Sequence, residues 1–244
     1  MKYILRLLVL FLIFSSCKKK SVSILVFSKT EGYRHESIPD GIAAIQKMAQ
    51  EENWKVDATE DASVFTDKNL EQYGAVIFLS TTGNVLDAEQ EKSFKRYIQA
   101  GGGFVGIHAA TDTEYEWEWY NNLVGAYFLS HPKTQKASMK VVDRNHLSCK
   151  HLGADWTKTD EWYNFKDFNK DVKVLLDLDE TSYEGGTHNG PHPIAWYHDY
   201  DGGKSFYTGL GHTPESFLNP KFILHVKGGI KYAIGKNVRK YPEA

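Results

Sequence analysis

Residues 101–112 read Gly-Gly-Gly-Phe-Val-Gly-Ile-His-Ala-Ala-Thr-Asp. The apolar run 104–107 leaves three glycines and stops at His108, which two alanines follow. A short apolar run bounded by turn residues fits a strand covered on both faces. Small residues around the break fit a tight turn into a helix or loop that holds one side chain up at the bend. Elbows of this kind carry nucleophiles in several folds. Here the residue is an imidazole, so the position is expected to be functional while thiol or hydroxyl chemistry from it is excluded.

The first half repeats the same punctuation. Residues 23–28 and 75–79 are further continuous apolar runs, and 55–59 is another strand candidate. Ile38, Ile42, Ile45, Met48 and Ala49 recur at helical spacing from a start at Ser37 and Pro39 through to Asn53. Residues 70–73 fit a short helix or turn. Asp87 is placed to cap a helix whose Phe94, Tyr97 and Ile98 face inward and which Gly101 closes. This alternation predicts an α/β fold built on a doubly wound, mostly parallel sheet. Beyond it the strand candidates are 136–142, 161–165, 172–178, 193–198 and 205–210. A last helix over 220–234 puts Phe222, Ile223, Val226 and Ile230 on one face. With no repeat and no linker, one domain with an elaborated second half is expected.

Lys2 and Arg6, an apolar stretch over 7–14, and Ser15-Ser16 precede Cys17. A basic start, a short apolar core and small residues mark a secretory signal, too short to span a bilayer comfortably. A cysteine at the cut point adds acylation of its thiol and new amine, and more than one chain suffices for stable attachment. Residues 1–16 are expected to be a signal peptide and 17–21 a tether lipidated at Cys17. Lys18, Lys19 and Lys20 would lie beside anionic headgroups, and the domain would occupy 22–240. The protein is then exported, lipid-anchored to a bacterial membrane and periplasm-facing, meeting the membrane only through its anchor. A plain secreted protein or an uncleaved N-terminal anchor is the alternative.

Cleavage removes two of 29 basic residues and none of 31 acidic ones, leaving 27 against 31 and a net charge of −4. That is no electrostatic footprint for nucleic acid. Aromatic residues make up 14% of the chain, six of them tryptophans, which suits either a thick core or a cleft that stacks on sugar rings. Once Cys17 is acylated only Cys149 is left, so no intrachain disulfide forms and Cys149 is expected to be a buried small hydrophobe.

Open parallel sheets bind ligands beyond the carboxyl ends of their strands. Three of the ten histidines fall there: His35 after the first strand, His108 at the elbow and His212 after the last strand. Asp112, Glu114 and Glu215 lie close to them in sequence, and His131 stands in a loop before Pro132. Any one loop histidine is more often structural or solvated than functional. Three at the ends of different strands carry more weight. Imidazole suits proton transfer near neutral pH, and it also suits zinc. No short-range motif such as His-Glu-x-x-His occurs, so a divalent metal would have to be assembled from distant loops. In Asp160-Glu161-Trp162-Tyr163 the functional reading points Glu161 into a cleft with Trp162 or Tyr163 on a sugar face, and the bland one puts Trp162 in the core. The aromatic run 114–120, with Trp117, reads equally as a sugar-binding loop or an amphipathic lid.

Taken together, the stretches 32–38, 102–112, 125–132, 160–165, 192–197 and 207–216 resemble the ThuA-like (trehalose utilisation) family over nearly the whole mature chain. The resemblance implies a flavodoxin-like fold of the class I glutamine amidotransferase-like kind. It also implies a link to sugar metabolism, often beside oxidoreductases that make keto-sugars. In amidotransferases the elbow holds cysteine and a late His-x-Glu completes a triad. Matched onto this chain, His108 stands at the elbow and His212 and Glu215 near the other two places, so glutaminase activity does not carry over.

The function expected on these grounds is acid/base conversion of a glycoside or keto-sugar, as an isomerase, lyase or hydrolase. His108 and His212 exchange protons, Glu215 orients His212, and Asp112 or Glu161 holds hydroxyls. His35, His131, Glu161, Trp162 and Trp117 line the substrate, and a divalent metal such as zinc would polarise a carbonyl. The alternative is a lipid-anchored carbohydrate-binding protein that does no chemistry. The only other partner expected is the small carbohydrate itself; oligomeric state is left open.

Overall fold

The computed structural model describes residues 21–234; the expected signal peptide and Cys17 lie outside the described residues. The apolar runs of the first half become buried strands joined by crossovers: β1 (Ser23–Phe27), α1 (Ile38–Glu52), β2 (Lys55–Thr59), α2 (Asp67–Leu70), β3 (Tyr73–Leu79), α3 (Ala88–Gln99) and β4 (Gly103–Ile107). Asp87 caps α3 as its sequence predicts. Its Oδ1 accepts from the amides of Glu89 and Gln90 while the Gln90 side chain accepts from the Asp87 amide, a reciprocal capping box. Ser37 does start α1, but its hydroxyl gives the helix no side-chain cap.

The second half supplies α4 (Glu118–Val124), β5 (Tyr127–Ser130), β6 (Gln135–Val141), β7 (Asp155–Asp160), β8 (Asn164–Lys166), β9 (Lys173–Leu178), β10 (Pro193–Tyr200), β11 (Gly203–Thr208) and α5 (Pro220–Ile234). The main sheet has nine strands in the order β2-β1-β3-β4-β11-β10-β9-β6-β7. From β2 to β11 the neighbours are parallel, which is the doubly wound core. From β11 outward the elaborated half adds antiparallel neighbours. Each parallel strand needs a covered face, and α5 provides it with buried Phe222, Val226 and Ile230 over β4 and β11. Among the described residues no helix is long and apolar enough to cross a membrane.

One expected strand is displaced. Residues 161–165 do not form a single strand: β7 ends at Asp160, and Asn164–Lys166 pairs with β5 in a separate two-stranded sheet. The cause is visible in burial. Glu161, Trp162, Tyr163 and Asn164 are all buried in succession, which a period-two strand with one wet face cannot do. Freed from the ladder, this segment can aim Glu161 where no strand residue would point.

The two aromatic residues expected at a sugar face belong to packing. Trp162 is fully buried and donates its indole N–H to the Gln135 carbonyl at 2.8 Å. Trp117 stacks on Trp119 and Tyr120 with ring centroids 4.8 and 6.1 Å away. A large flat ring is worth more against other apolar surface than in water, and both rings find that surface inside the protein. Cys149 is buried as expected, and burial pushes its thiol up to about 11.

Glu114 ties the chain after the elbow to the loop before α3. Its carboxylate accepts from the amides of Val85 and Leu86, each at 2.8 Å, and its own carbonyl accepts from the Tyr127 hydroxyl at 2.7 Å. Burial pushes the carboxyl up to about 7, against the pull of those two amides. The folded state thus holds this proton more tightly than the unfolded chain does. Its contribution is complete below about pH 4.5 and is lost as pH rises towards 7. Glu114→Gln keeps an acceptor for both amides and removes the titration. Relative to wild type, urea unfolding should show the variant gaining on the order of 2 kcal/mol between pH 4.5 and pH 8. A parallel pair of stability curves would contradict this.

Candidate active site

His108 takes φ +51°, a left-handed conformation rare for a residue with a side chain. Holding it there costs on the order of 1–3 kcal/mol and requires support from the surroundings. Its carbonyl accepts from the buried Tyr207 hydroxyl at 2.8 Å, and Ala109 and Ala110, both fully buried, leave room for the turn. Gly106 is needed as well, since a Cβ there would lie 3.0 Å from the Tyr207 ring and 3.1 Å from the Ala110 methyl. The elbow continues as a single 3-10 turn over His108–Thr111.

The imidazole of His108 is fully buried, and its Nδ1–H donates to the Gly209 carbonyl at 2.9 Å. A carbonyl only accepts, so in the neutral ring Nε2 is left as a lone pair. It faces His212 Nδ1 at 3.1 Å and Glu161 Oε2 at 3.5 Å. His212 Nδ1 lies 3.2 Å from the same carboxylate oxygen, so its hydrogen is shared between His108 and Glu161. The other oxygen of Glu161, Oε1, meets His131 Nδ1 at 2.9 Å. His131 Nδ1 also donates to the Pro132 carbonyl at 2.9 Å, which leaves Nε2 of that ring without a protein partner. His35 closes the inner side, edge-on to His108 and His212 with ring centroids 4.7 and 5.3 Å away.

Four strand ends thus deliver one cluster: His35 after β1, His108 after β4, Glu161 after β7 and His212 after β11. Burial alone would raise the Glu161 carboxyl, yet hydrogen bonds and charge from His108 and His212 hold it well below the usual carboxylate range. Burial alone would lower His212, and the Glu161 carboxylate raises it instead. His35 has no such help; burial and the neighbouring imidazoles bring it down to about 3, so it stays neutral.

Asp160 holds the frame behind these groups. Fully buried, its carboxylate accepts from the amides of Gly211 and His212 at 3.0 and 3.1 Å and from Lys158 Nζ at 2.7 Å. Lys158 also reaches the Ser216 hydroxyl at 2.6 Å. From the opposite side the Ser37 hydroxyl donates to the Gly211 carbonyl at 2.9 Å, the bond that takes it away from capping α1. Gly211 has φ +114°, which explains why glycine precedes the histidine.

His35, His108 and His212 are therefore together, as their positions at strand ends suggested; His131 joins them from its loop, and Glu161 from the segment after β7 that the sequence reading makes the start of a strand. Glu215 does not: it is exposed, while the next residue, Ser216, turns inward to Lys158. The carboxylate that contacts His212 is Glu161. Asp112 stands at the margin, half-buried, accepting from the Tyr115 hydroxyl at 2.6 Å; burial raises its carboxyl above the usual range. Trp117 and Trp162 are absent from the site for the packing reasons given above. Two aromatic rings take their place: Tyr163, the alternative to Trp162 in the sequence reading, and Tyr33, which that reading assigns no role. Tyr163, buried, lies on His108 with centroids 4.4 Å apart, and Tyr33, 63% exposed, stands edge-on to His35 at 4.9 Å. Tyr33 shares the polar stretch of His35, which is the one signal that would have found it.

A flavodoxin-like α/β sheet with a residue held up at the elbow defines the class I glutamine amidotransferase-like kind of protein, here with histidine where that kind carries cysteine. The profile of the ThuA family, described as trehalose utilisation, matches residues 23–233, and the chain belongs to that family. The family's description links it to carbohydrate metabolism. A ThuA-like protein from Bacteroides uniformis is 24% identical with a TM-score of 0.77, the match covering 92% of this chain and 96% of that one. Another from Parabacteroides merdae is 19% identical with a TM-score of 0.74, covering 92% and 94%. A β-galactosidase from Bacillus circulans sp. alkalophilus shares the fold over 86% of this chain and 32% of its own, at 12% identity and a TM-score of 0.55. No curated protein sequence matches.

Asp160→Ala would strand the Lys158 ammonium, whose side chain is 5% exposed, and free two amides of the His212 loop. Breaking a buried pair from one side costs about 3–5 kcal/mol. Urea unfolding should show that loss, and the double variant Lys158→Met/Asp160→Leu should cost less than the single one. Equal stability of Asp160→Ala and wild type would refute the role of this carboxylate.

Proposed function

We propose that the protein converts a glycoside or keto-sugar by proton transfer at the His–Glu cluster. The observation that carries this reading is Glu161, one buried carboxylate approached on separate oxygens by ring nitrogens of His131 at 2.9 Å and His212 at 3.2 Å, the two rings of the cluster that reach solvent. His131, 42% exposed in its side chain, keeps a lone pair on Nε2 and serves as the base. It takes the proton from the carbon beside the carbonyl, and the electron pair of that C–H bond moves towards the carbonyl oxygen, which His212 polarises. The pair then either returns to carbon with the proton held by His131, giving isomerisation, or expels the oxygen on the β carbon, which takes that proton and leaves as the alcohol, giving elimination of the glycosidic bond. Neither outcome needs a nucleophile or a change of oxidation state. Exposed Tyr33 offers a ring face for the sugar beside His35.

The bend at His108 supports chemistry over simple capture, because strained backbone and buried ionisable groups converge at catalytic sites more than at plain binding surfaces. The aromatic platform expected of a binding module is weakened by the packing of Trp117 and Trp162.

Turnover of a panel of glycosides and 3-keto-glycosides tests the reading. His131→Gln should lower kcat by about 10²–10⁴-fold with little change in KM. Tyr33→Ala should act mainly on KM. Binding of these sugars without conversion by the wild-type protein would replace catalysis with capture.

The same proposal places the protein on the periplasmic side of a bacterial membrane, anchored at Cys17; the support is the sequence of residues 1–20 alone. Cells grown with labelled palmitate should incorporate the label into the full chain and lose it with Cys17→Ser. Unlabelled wild-type protein released in soluble form would remove the anchor.

A further inference from the structure

We propose that His35, His108, His212 and Glu161 form a binding site for one divalent transition-metal ion of the zinc class. The assignment uses the cluster on which the proposed function also rests, and names the electrophile there. Each of the four residues offers one ligand atom, and these atoms all lie within 4.8 Å of one another.

Three of them already describe the face of a coordination polyhedron. His108 Nε2, His212 Nδ1 and Glu161 Oε2 are separated by 3.1, 3.2 and 3.5 Å. Zinc bonds nitrogen and oxygen ligands at about 2.0–2.2 Å, which in a tetrahedron sets neighbouring donors about 3.3–3.5 Å apart. Without an ion, one shared hydrogen occupies the middle of this triangle. A cation bound there replaces that proton, and His212 then presents its Nδ1 lone pair.

The fourth residue supplies the independent observation. His35 is 4% exposed, and its Nδ1 is buried with no hydrogen-bond partner. Buried polar atoms are nearly always satisfied, so an imidazole with an orphaned nitrogen, in a residue whose ligand atom lies within 4.8 Å of three other donors, calls for a ligand. Neighbours orient the other donors as metal sites require. His108 is fixed through Nδ1–H on the Gly209 carbonyl, and Glu161 is steadied on its far oxygen by His131. Three imidazoles and one carboxylate make a borderline-soft donor set that favours zinc, cobalt or nickel over magnesium or calcium.

His146 Nε2 and His225 Nε2 are also buried without a partner, but among the described residues no second group of donors converges as this one does. His192 spends Nδ1 on Glu180 and Nε2 on the Tyr163 carbonyl, at 2.9 and 2.8 Å, inside the core. His146 Nδ1 is held by the Ser148 hydroxyl at 2.7 Å. With an ion in place the carbonyl of a substrate is polarised by the cation in place of His212, and His131, outside the ligand set, remains the base.

The full chain, stripped with chelator and dialysed, should bind one zinc ion per chain in calorimetry with zinc chloride. With cobalt(II) it should develop the visible d–d bands of a site of low coordination number. His35→Ala and Glu161→Gln should each weaken zinc at least about 100-fold, beyond the loss usual for a residue that only orients a ligand. His151→Gln and Glu215→Gln should bind as wild type does. Because His35 is buried, His35→Gln and a circular-dichroism melt accompany the series: zinc should raise the Tm of wild type and leave that of the folded His35 variants unmoved. Folded wild-type protein that takes up no zinc, or zinc affinity unchanged by both ligand variants, overturns the site. Turnover that persists in metal-free protein with no zinc uptake overturns the metal and keeps the proton-transfer reading. Zinc bound at these ligands with no sugar converted upholds the metal and removes that reading.

Discussion

The cluster depends on one buried carboxylate shared by several imidazoles. Glu161 is 6% exposed, and taking an ionised carboxyl out of water is unfavourable unless donors surround it. His131 and His212 bring ring nitrogens to within 3.2 Å of its two oxygens. Without the carboxylate, His108 and His212 would face each other as two rings competing for one proton, with His35 pressing from the side. With it, the rings have defined tautomers and the site has a defined charge. That the acid comes from the segment after β7, far from His35, His108 and His212 in sequence, makes the antiparallel half of the sheet part of the cluster as well as of the fold.

The scaffold is organised to tolerate this arrangement. Asp160 and Glu161 are adjacent, and they divide the work. The first ties the backbone of Gly211 and His212 to Lys158, and the second faces the rings. Ser37 clasps the same loop from the start of α1, so the segment bearing His35 and the one bearing His212 are held to each other. Meanwhile the Tyr207 hydroxyl restrains the left-handed elbow. Backbone strain at His108 persists because three separate elements meet at it, and none of them could relax it alone.

Much of this was legible in the chain. Runs such as 23–28, 75–79 and 104–107 name their strands because a doubly covered strand must be apolar throughout, and Asp87 names its helix because a short acid can reach the free amides. The placement of His35, His108 and His212 at strand ends followed from the same pattern. What failed was local. Glu215 lies near the place of a triad partner, one residue beyond a His-x-Glu spacing, but the 3-10 turn after Thr213 points it outward and Ser216 inward. Trp162 has the look of a sugar platform, yet whether a tryptophan packs or projects is decided by neighbours such as Gln135 that sequence does not reveal. Tyr163 reads as the alternative to Trp162, whereas Tyr33 is given no role because, apart from sharing the polar stretch of His35, nothing distinguishes it from other loop tyrosines.

Replacing the elbow nucleophile by histidine changes what the fold can use its geometry for. An elbow projects one side chain into a pocket bordered by other strand ends, and with a thiol that geometry favours attack on a carbonyl carbon. An imidazole in the same place cannot usefully form a lasting covalent intermediate, but its fixed Nδ1–H bond to the Gly209 carbonyl gives it a lone pair of known direction. A second imidazole and a carboxylate at the rim then make that lone pair one vertex of a polydentate set. The carboxylate that contacts the late histidine, Glu161, also comes from the end of another strand, where the resemblance implies one from the same loop. Both changes act in one sense: they turn a relay that passes a proton along a line into a cup whose donors point at a common centre. A line suits a nucleophile, whereas a cup suits something placed between its walls, either a shared proton or a cation, with the substrate approaching from the side left open by His131 and Tyr33.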